Sequence, residues 1–248
     1  MTRTKKNTAE YYGRFKGAPW FEGISSSSIL ICGQGGIGSN LTLFLARTGA
    51  ELVTVDYDDV ELHNIAGQLY GKDHVGKSKV DAMAEVVTYL CGETKLTPLN
   101  HKIEEDDPTI ASMLRAIDVV CVSFDNIAAR KIVFELWLKY GKEISLFVDG
   151  RMSMEQGNVF AIPKDSSEET ISHYRNSCFD DSELPEAQCT MKATTHCGAL
   201  ISALMVSQIT NWFNNQVPKV LPREVITQLD FNLPLMLFEQ PKVEELCI

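Results

Sequence analysis

The chain has 248 residues, 44% of them apolar, and a formal net charge of -10. That length supplies one sizeable core and at most an appendage, and the acidic balance argues against wholesale nucleic-acid binding. No apolar run matches a bilayer, no signal-peptide core opens the chain, and seven scattered cysteines without a C-x-x-C pair fit neither a disulfide framework nor a structural zinc site; the expectation is a soluble, cytoplasmic protein with free thiols and no membrane association.

In chain order, short β-branched strands are expected at Ile29–Cys32, Glu51–Val55, Lys95–Leu99, Asp118–Val122 and Ile144–Val148. Helices are expected between them, at Ile37–Arg47, Lys77–Leu90, Pro108–Ala116 and Asn126–Tyr140. Nearly continuous apolar strands alternating with helices read as an α/β fold, a Rossmann-like doubly wound and mostly parallel sheet. After residue 150 the pattern changes. "GNVFAIP" reads as a strand, and residues 164–190 are polar, acidic and weakly periodic, so a crossover loop is expected there. A strong helix over Ala193–Asn214 and a strand-like tail over Val225–Phe238 complete the chain, giving an antiparallel C-terminal extension. With no repeats and no clear linker, residues 1–248 read as a single domain.

The first strand runs into "CGQGGIGSN". Gly33 permits a tight turn, Gly35 lets backbone approach a phosphate, Gly36 lies beside it and Gly38 allows close helix–strand packing. The helix after this loop turns its free N–H groups and positive dipole end toward an anion. Asp56, at the end of the second strand in "LVTVDYDD", is placed to bind ribose hydroxyls. To this point a nicotinamide-dependent oxidoreductase would look the same. The next segment separates the two, because a polar Asn64–Gln68 stretch and a lysine at a helix start suit an enzyme that must hold a triphosphate and Mg²⁺.

"GQGGIGS", "DYDDVELHN…Q", "VGKSKV" and "SFDNIAAR" together, over about residues 10–150, resemble the ThiF/MoeB/HesA family, the adenylating core of ubiquitin-activating-type enzymes. The resemblance implies a homodimeric or pseudo-dimeric adenylyltransferase. It would use ATP and Mg²⁺ to adenylate a carboxylate, often the C-terminus of a ubiquitin-like or sulfur-carrier protein. Position by position it implies Asp56 as ribose ligand, Asn64 as a phosphate-side ligand, Lys79 as the phosphate lysine (with Lys77 its rival) and Asp125 as the Mg²⁺ ligand. Asn64 also reads as a turn residue, and Asp125 as a cap for the helix at Asn126. "YYGRF" resembles the family's R-Y-x-R element, so Arg14 is implied to reach the partner subunit's site, where a guanidinium fork suits phosphate.

One position departs. The family pattern S-N-L-x-R-Q reads His63-Asn64-Ile65-Ala66-Gly67-Gln68 here, so Gly67 stands where an arginine is usual. Loss of one preorganised donor costs roughly 2.7–4 kcal/mol of barrier. His63, Lys72, Lys77 or a partner's Arg14 are candidates to compensate, and a non-catalytic nucleotide-binding partner stays open as an alternative. "VDGRMSMEQGNVFAI" resembles phage- and plasmid-type ThiF proteins, with Arg151 either a ligand or a structural ion-pair partner. Cys189, just before a threonine in the expected crossover loop, is a candidate to capture the acyl group as a thioester, with Cys178 second; Cys32, Cys91, Cys121 and Cys197 read as core residues.

Overall fold

The computed structural model describes residues 10–15, 17–92, 94–178 and 194–241. A short helix α1 (Phe21–Ser25) leads into β1 (Ser28–Cys32), α2 (Gly36–Ala46) and β2 (Glu51–Asp56). Two 3₁₀ turns, Leu62–Ala66 and Lys72–His74, precede α3 (Lys79–Cys91) and β3 (Leu96–Asn100). Then come α4 (Pro108–Leu114), β4 (Val119–Val122), α5 (Ile127–Tyr140), β5 (Leu146–Ser153) and β6 (Gln156–Pro163). The chain continues through α6 (Glu168–Asn176), α7 (Thr195–Asn215), β7 (Gln228–Asn232) and β8 (Leu237–Glu239).

All eight strands join one sheet in the order β3-β2-β1-β4-β5-β6-β7-β8. β1 to β5 are mutually parallel, and β5–β6, β6–β7 and β7–β8 pair antiparallel. β1 shows why the apolar runs are unbroken: Ile29 and Ile31 enter one core layer with α2, α3 and α7, whereas Leu30 and Cys32 enter the opposite layer with α4 and α5. A strand covered on both faces leaves little room for polar residues. The mostly parallel doubly wound sheet with an antiparallel extension is therefore the fold observed.

Two local expectations change. β5 extends to Ser153, past the end of its parallel pairing with β4 at Asp149, because Gly150–Ser153 pair only with the returning strand β6. The expected loop at 164–190 opens instead with α6. Ser167 caps this helix by accepting from Thr170 N, and only Ile171 and Tyr174 are buried among its otherwise polar residues. Two buried side chains suffice where the helix only grazes the sheet, which is why it carries so little apolar signal in sequence. Among the described residues no helix is long and apolar enough to cross a membrane.

Candidate nucleotide site

The site grows from the turn after β1. Gly33 has φ +95°, the left-handed region that favours glycine, and a Cβ there would stand 3.0 Å from Ser123. Gly38 is held closer still: its Cβ would fall 1.9 Å from the Gly33 carbonyl oxygen, so only a glycine lets α2 start this near β1. Gly36 faces Gly67, whose carbonyl oxygen would be 3.2 Å from a Cβ. Gly35 differs from all three, because nothing lies within 4 Å of the position a Cβ would take. It is also the N-cap of α2, which has no side-chain cap and no acidic residue in its first turn. An eleven-residue helix thus presents uncapped N–H groups beside an open backbone surface.

The turn is locked from below. Gln34 is fully buried, donates its side-chain amide to Gly33 O (2.9 Å) and accepts from Thr42 Oγ1 (3.0 Å). Tyr70 donates its hydroxyl to Gln34 O at 2.6 Å. Burial, and secondarily the charge of Asp56, push the Tyr70 phenol well up, so it stays a donor.

Two hydrogen-bonded paths lead outward from this turn. On one side Asp56, buried at the end of β2, accepts from Gln34 N (2.6 Å) and Asp58 N (2.9 Å). Asp58 in turn holds Lys79 at both ends: its Oδ2 accepts from Lys79 Nζ at 2.7 Å, and its carbonyl accepts from Lys79 N at 2.9 Å. Burial raises the Asp56 carboxyl above its ordinary range, opposed by Lys79 and the two N–H donors. On the other side Ser123, just past β4, donates its hydroxyl to Cys32 O and Gly33 O, both at 3.1 Å. Asp125 lies two residues further on. It is exposed, and its carboxylate has no hydrogen-bond or ion-pair partner among the described residues. The capping role considered for it belongs to Asn126, which accepts from Ala129 N at 2.7 Å. Lys79 and Asp125 therefore flank the glycine turn at the carboxyl ends of β1, β2 and β4, the edge where open α/β sheets bind ligands.

Other expected residues have partners of their own or lie farther off. Asn64 is buried and accepts from Glu61 N (2.8 Å), while its carbonyl accepts from Gly67 N and Gln68 N; these are the contacts of a turn residue that shapes the segment carrying Gly67. Lys77 is bound to both Glu85 oxygens at 2.7 Å, and His63 pairs with Glu61 at 3.5 Å. Arg14 is exposed on a segment whose Tyr12 packs against Gly49, beyond the far end of α2 from Gly36. That helix is about 16 Å long, so Arg14 sits at the opposite end of the layer from its own glycine turn. Cys189 lies outside the described residues. Cys32, Cys121 and Cys197 are buried, and burial pushes the Cys197 thiol up to about 11, as inert core thiols require; Cys91, at the end of α3, is only half-buried.

Arg151 turns out to be the structural alternative. Its guanidinium donates to Asp149 Oδ2 (2.7 Å) and Ser177 O (2.9 Å), lies 3.4 Å from Cys178 Sγ and stacks over Phe160 and Tyr174. The fully buried Asp149 also accepts from Arg130 and from Tyr174 Oη (3.0 Å). Sequence reasoning misses this cluster. Its one signal is "VDGR", an aspartate ending an otherwise apolar strand, a position where a buried carboxylate must have cationic partners.

The arrangement suits a nucleotide triphosphate. The open Gly35 backbone and uncapped helix can take phosphate oxygens, Asp56 and Lys79 stand on one flank, and Asp125 offers the kind of free carboxylate that Mg²⁺ commonly takes alongside phosphate oxygens. Among the described residues no group of three or more His, Cys, Asp or Glu forms a metal cage.

Relatives share this ground. The chain is 31% identical over 141 residues to the adenylyltransferase and sulfurtransferase MOCS3-1 of Zea mays, covering 54% of this chain and 30% of that protein. It is 32% identical over 111 residues to the molybdopterin-synthase adenylyltransferase of Escherichia coli (strain K12), covering 44% of each. The chain thus spans less than half the length of either relative. Among solved structures, PaaA superposes with a TM-score of 0.75 at 17% identity, covering 98% of this chain and 85% of that one. The E. coli MccB complex with MccA-N7isoASN does so with a TM-score of 0.70 at 16% identity, covering 95% and 74%; both likenesses concern the fold alone. The model of the ThiF family matches residues 12–246, nearly the whole length, and the chain belongs to the ThiF family.

Proposed function

We propose that the protein is an ATP-dependent adenylyltransferase that activates a carboxylate, the C-terminus of a ubiquitin-like or sulfur-carrier protein. The observation that carries this reading is the flanking of the open Gly35 turn by Lys79 on one side and Asp125 on the other. The relatives named as adenylyltransferases support it. In this reading Asp56 accepts from the ribose, the Gly35–Gly36 backbone and Lys79 hold phosphate oxygens, and Asp58 fixes the lysine until phosphate competes for it. Asp125 would hold Mg²⁺, which would supply positive charge beside the triphosphate. The substrate carboxylate oxygen attacks the α-phosphorus, the bond to the pyrophosphate oxygen breaks, and an acyl adenylate and pyrophosphate result. Met152 links this centre to a groove of 360 Å³ over β5, β6 and β7 that also involves Gly157, Asp230 and Phe231, a path for an extended C-terminal tail.

Arg14 serves the site of a second subunit in a homodimer, since its own glycine turn is at the other end of α2. Cys189 is the acceptor if a thioester forms next. Gly67 favours a second reading, a ThiF-family partner that binds nucleotide without turning it over, because Lys77 and His63 are already engaged by Glu85 and Glu61. Pyrophosphate exchange into ATP distinguishes the two. Exchange that depends on a carrier protein and disappears in Asp125→Ala is the expected result. ATP binding with no exchange across a panel of carrier proteins would favour the second reading.

A further inference from the structure

Asp125 has an unusual local setting: its carboxylate is unengaged among the described residues, yet the backbone on either side is held. The residue that does most of the holding is Arg130, in the first turn of α5 and only 4% exposed. One terminal nitrogen of its guanidinium donates to Asp149 Oδ1 and to Gly150 O (3.1 Å), fixing the group to the middle of β5, where its pairing with β4 ends. The other terminal nitrogen donates to Phe124 O, the carbonyl immediately before Asp125. On the far side, the Asn126 side chain accepts from Ala129 N as the helix cap. The loop is thus clamped at 124 by an arginine anchored in the neighbouring strand and at 126 by the cap. Asp125 is left with little freedom besides the rotation of its own side chain.

We infer that Arg130 is a positioning residue: through Phe124 O, and together with the Asn126 cap, it presets the Asp125 carboxylate to receive Mg²⁺ with the triphosphate. This rests on the proposed role of Asp125 as the Mg²⁺ ligand. Arg130 cannot itself meet the metal or the phosphate, because both terminal nitrogens are committed and the side chain is buried. A planar fork is needed for the task, since it must address Asp149 and Phe124 in two directions at once; a lysine ammonium supplies the charge without that geometry.

The experiment titrates Mg²⁺ into the full-length protein with a non-hydrolysable ATP analogue, measuring nucleotide affinity calorimetrically from EDTA to excess metal. Arg130→Lys, checked for folding by circular dichroism, is expected to raise the Mg²⁺ midpoint by about tenfold or more while metal-free nucleotide affinity stays within about twofold, the size typical of losing a group that orients a metal ligand. Excess Mg²⁺ should recover the metal-dependent gain in Arg130→Lys but not in Asp125→Ala. If Arg130→Lys does not fold, Asn126→Ala carries the test, because that cap is exposed, and it too is expected to raise the midpoint. An unchanged midpoint in a folded Arg130→Lys, or in Asn126→Ala where only that variant folds, overturns the inference while leaving Asp125 as the ligand. A midpoint that Asp125→Ala does not alter overturns the underlying reading instead, and the inference with it.

Discussion

Restoring an arginine at position 67 is the most informative single change. Gly67 has φ -120° and ψ -8°, a backbone conformation open to any residue, and no heavy atom lies within 4 Å of the place its Cβ would occupy. Glycine is therefore not demanded by the fold, and the Cβ of Gly67→Arg enters open space. The carbonyl of Gly67 sits 3.2 Å from the Cβ position of Gly36, so the new side chain starts beside the glycine turn. A donor aimed at charge that develops in the transition state is worth roughly 10²–10³ in rate, about 2.7–4 kcal/mol. The half-exposed setting makes the lower figure, about a hundredfold, the expected ceiling. The assay is pyrophosphate exchange under saturating ATP and carrier, with ATP affinity measured separately to exclude a binding effect. Combining the change with Arg14→Ala completes a double-mutant cycle. If a partner's Arg14 substitutes for the missing charge, Arg14→Ala costs much less in the Gly67→Arg background than in the natural one. A folded Gly67→Arg protein that binds ATP normally yet exchanges pyrophosphate no faster than before would refute the reasoning.

The glycine turn gives a paired stability prediction. Gly38→Ala, which sets a carbon 1.9 Å from a backbone oxygen, should destabilise the protein by roughly 1–3 kcal/mol or more and lower Tm by about 2–4 °C per kcal/mol. Gly35→Ala, with open space and φ -79°, should leave Tm within about 2 °C and instead weaken ATP binding; thermal melts with and without ATP check both. Because burial raises the Asp56 pKa, ATP affinity should begin to fall on acidification at a higher pH than an ordinary aspartate would give. Stability responds with the opposite sign: Asp56 adds to it below the unfolded pKa, and that contribution is lost as pH rises through the raised folded value. Lys79→Met removes the largest lowering influence on Asp56 and should move the ATP-binding transition further toward neutral pH, read by the same titration. Asp107→Ala deletes the cap that accepts from Thr109 N and Ile110 N and should cost about 1 kcal/mol in urea melts at neutral pH. Burial works against the Asp107 carboxylate, but the His101 hydrogen bond and these N–H donors outweigh it and keep its pKa low, so the difference between wild type and variant should shrink as pH falls through that lowered value.

The parallel half of the fold was legible because its strands are buried on both faces and its helices carry their own punctuation. Pro108 opens α4 behind the capping Asp107, and Asn126 marks the start of α5. Gly33 and Gly38 were readable because each is required by local backbone geometry, the positive φ of Gly33 and the closeness of Gly38 to the Gly33 carbonyl, although Gly33 also packs against the distant Ser123. What escaped depends on distant partners. Lys79 is legible as a helix-start lysine, but its ion pair with Asp58 is made across 21 residues. The Arg130–Asp149–Arg151–Tyr174 cluster joins α5, β5 and α6, and no spacing rule relates those positions. α6 hid because a helix resting lightly on a sheet needs only Ile171 and Tyr174 below the surface.

The glycine turn and the ligands proposed beside it, Asp56, Lys79 and Asp125, all fall before position 130, and they invite the idea that this first half could be cut out as a working module. Helix α7 forbids it. Gly198 approaches so closely that a Cβ there would meet the Gly36 carbonyl oxygen at 2.8 Å, Ser202 donates to Ile37 O (2.8 Å), and Thr195 donates to Ala66 O (2.6 Å). The nucleotide's cradle is thus buttressed by a stretch of chain that leaves the ribosome long after the motif itself. On the proposed reading a growing polypeptide carries the full phosphate signature well before it can grip a phosphate, ATP capture would report that synthesis has passed α7, and a truncation ending at β5 should retain Gly35, Asp56, Lys79 and Asp125 and none of the binding.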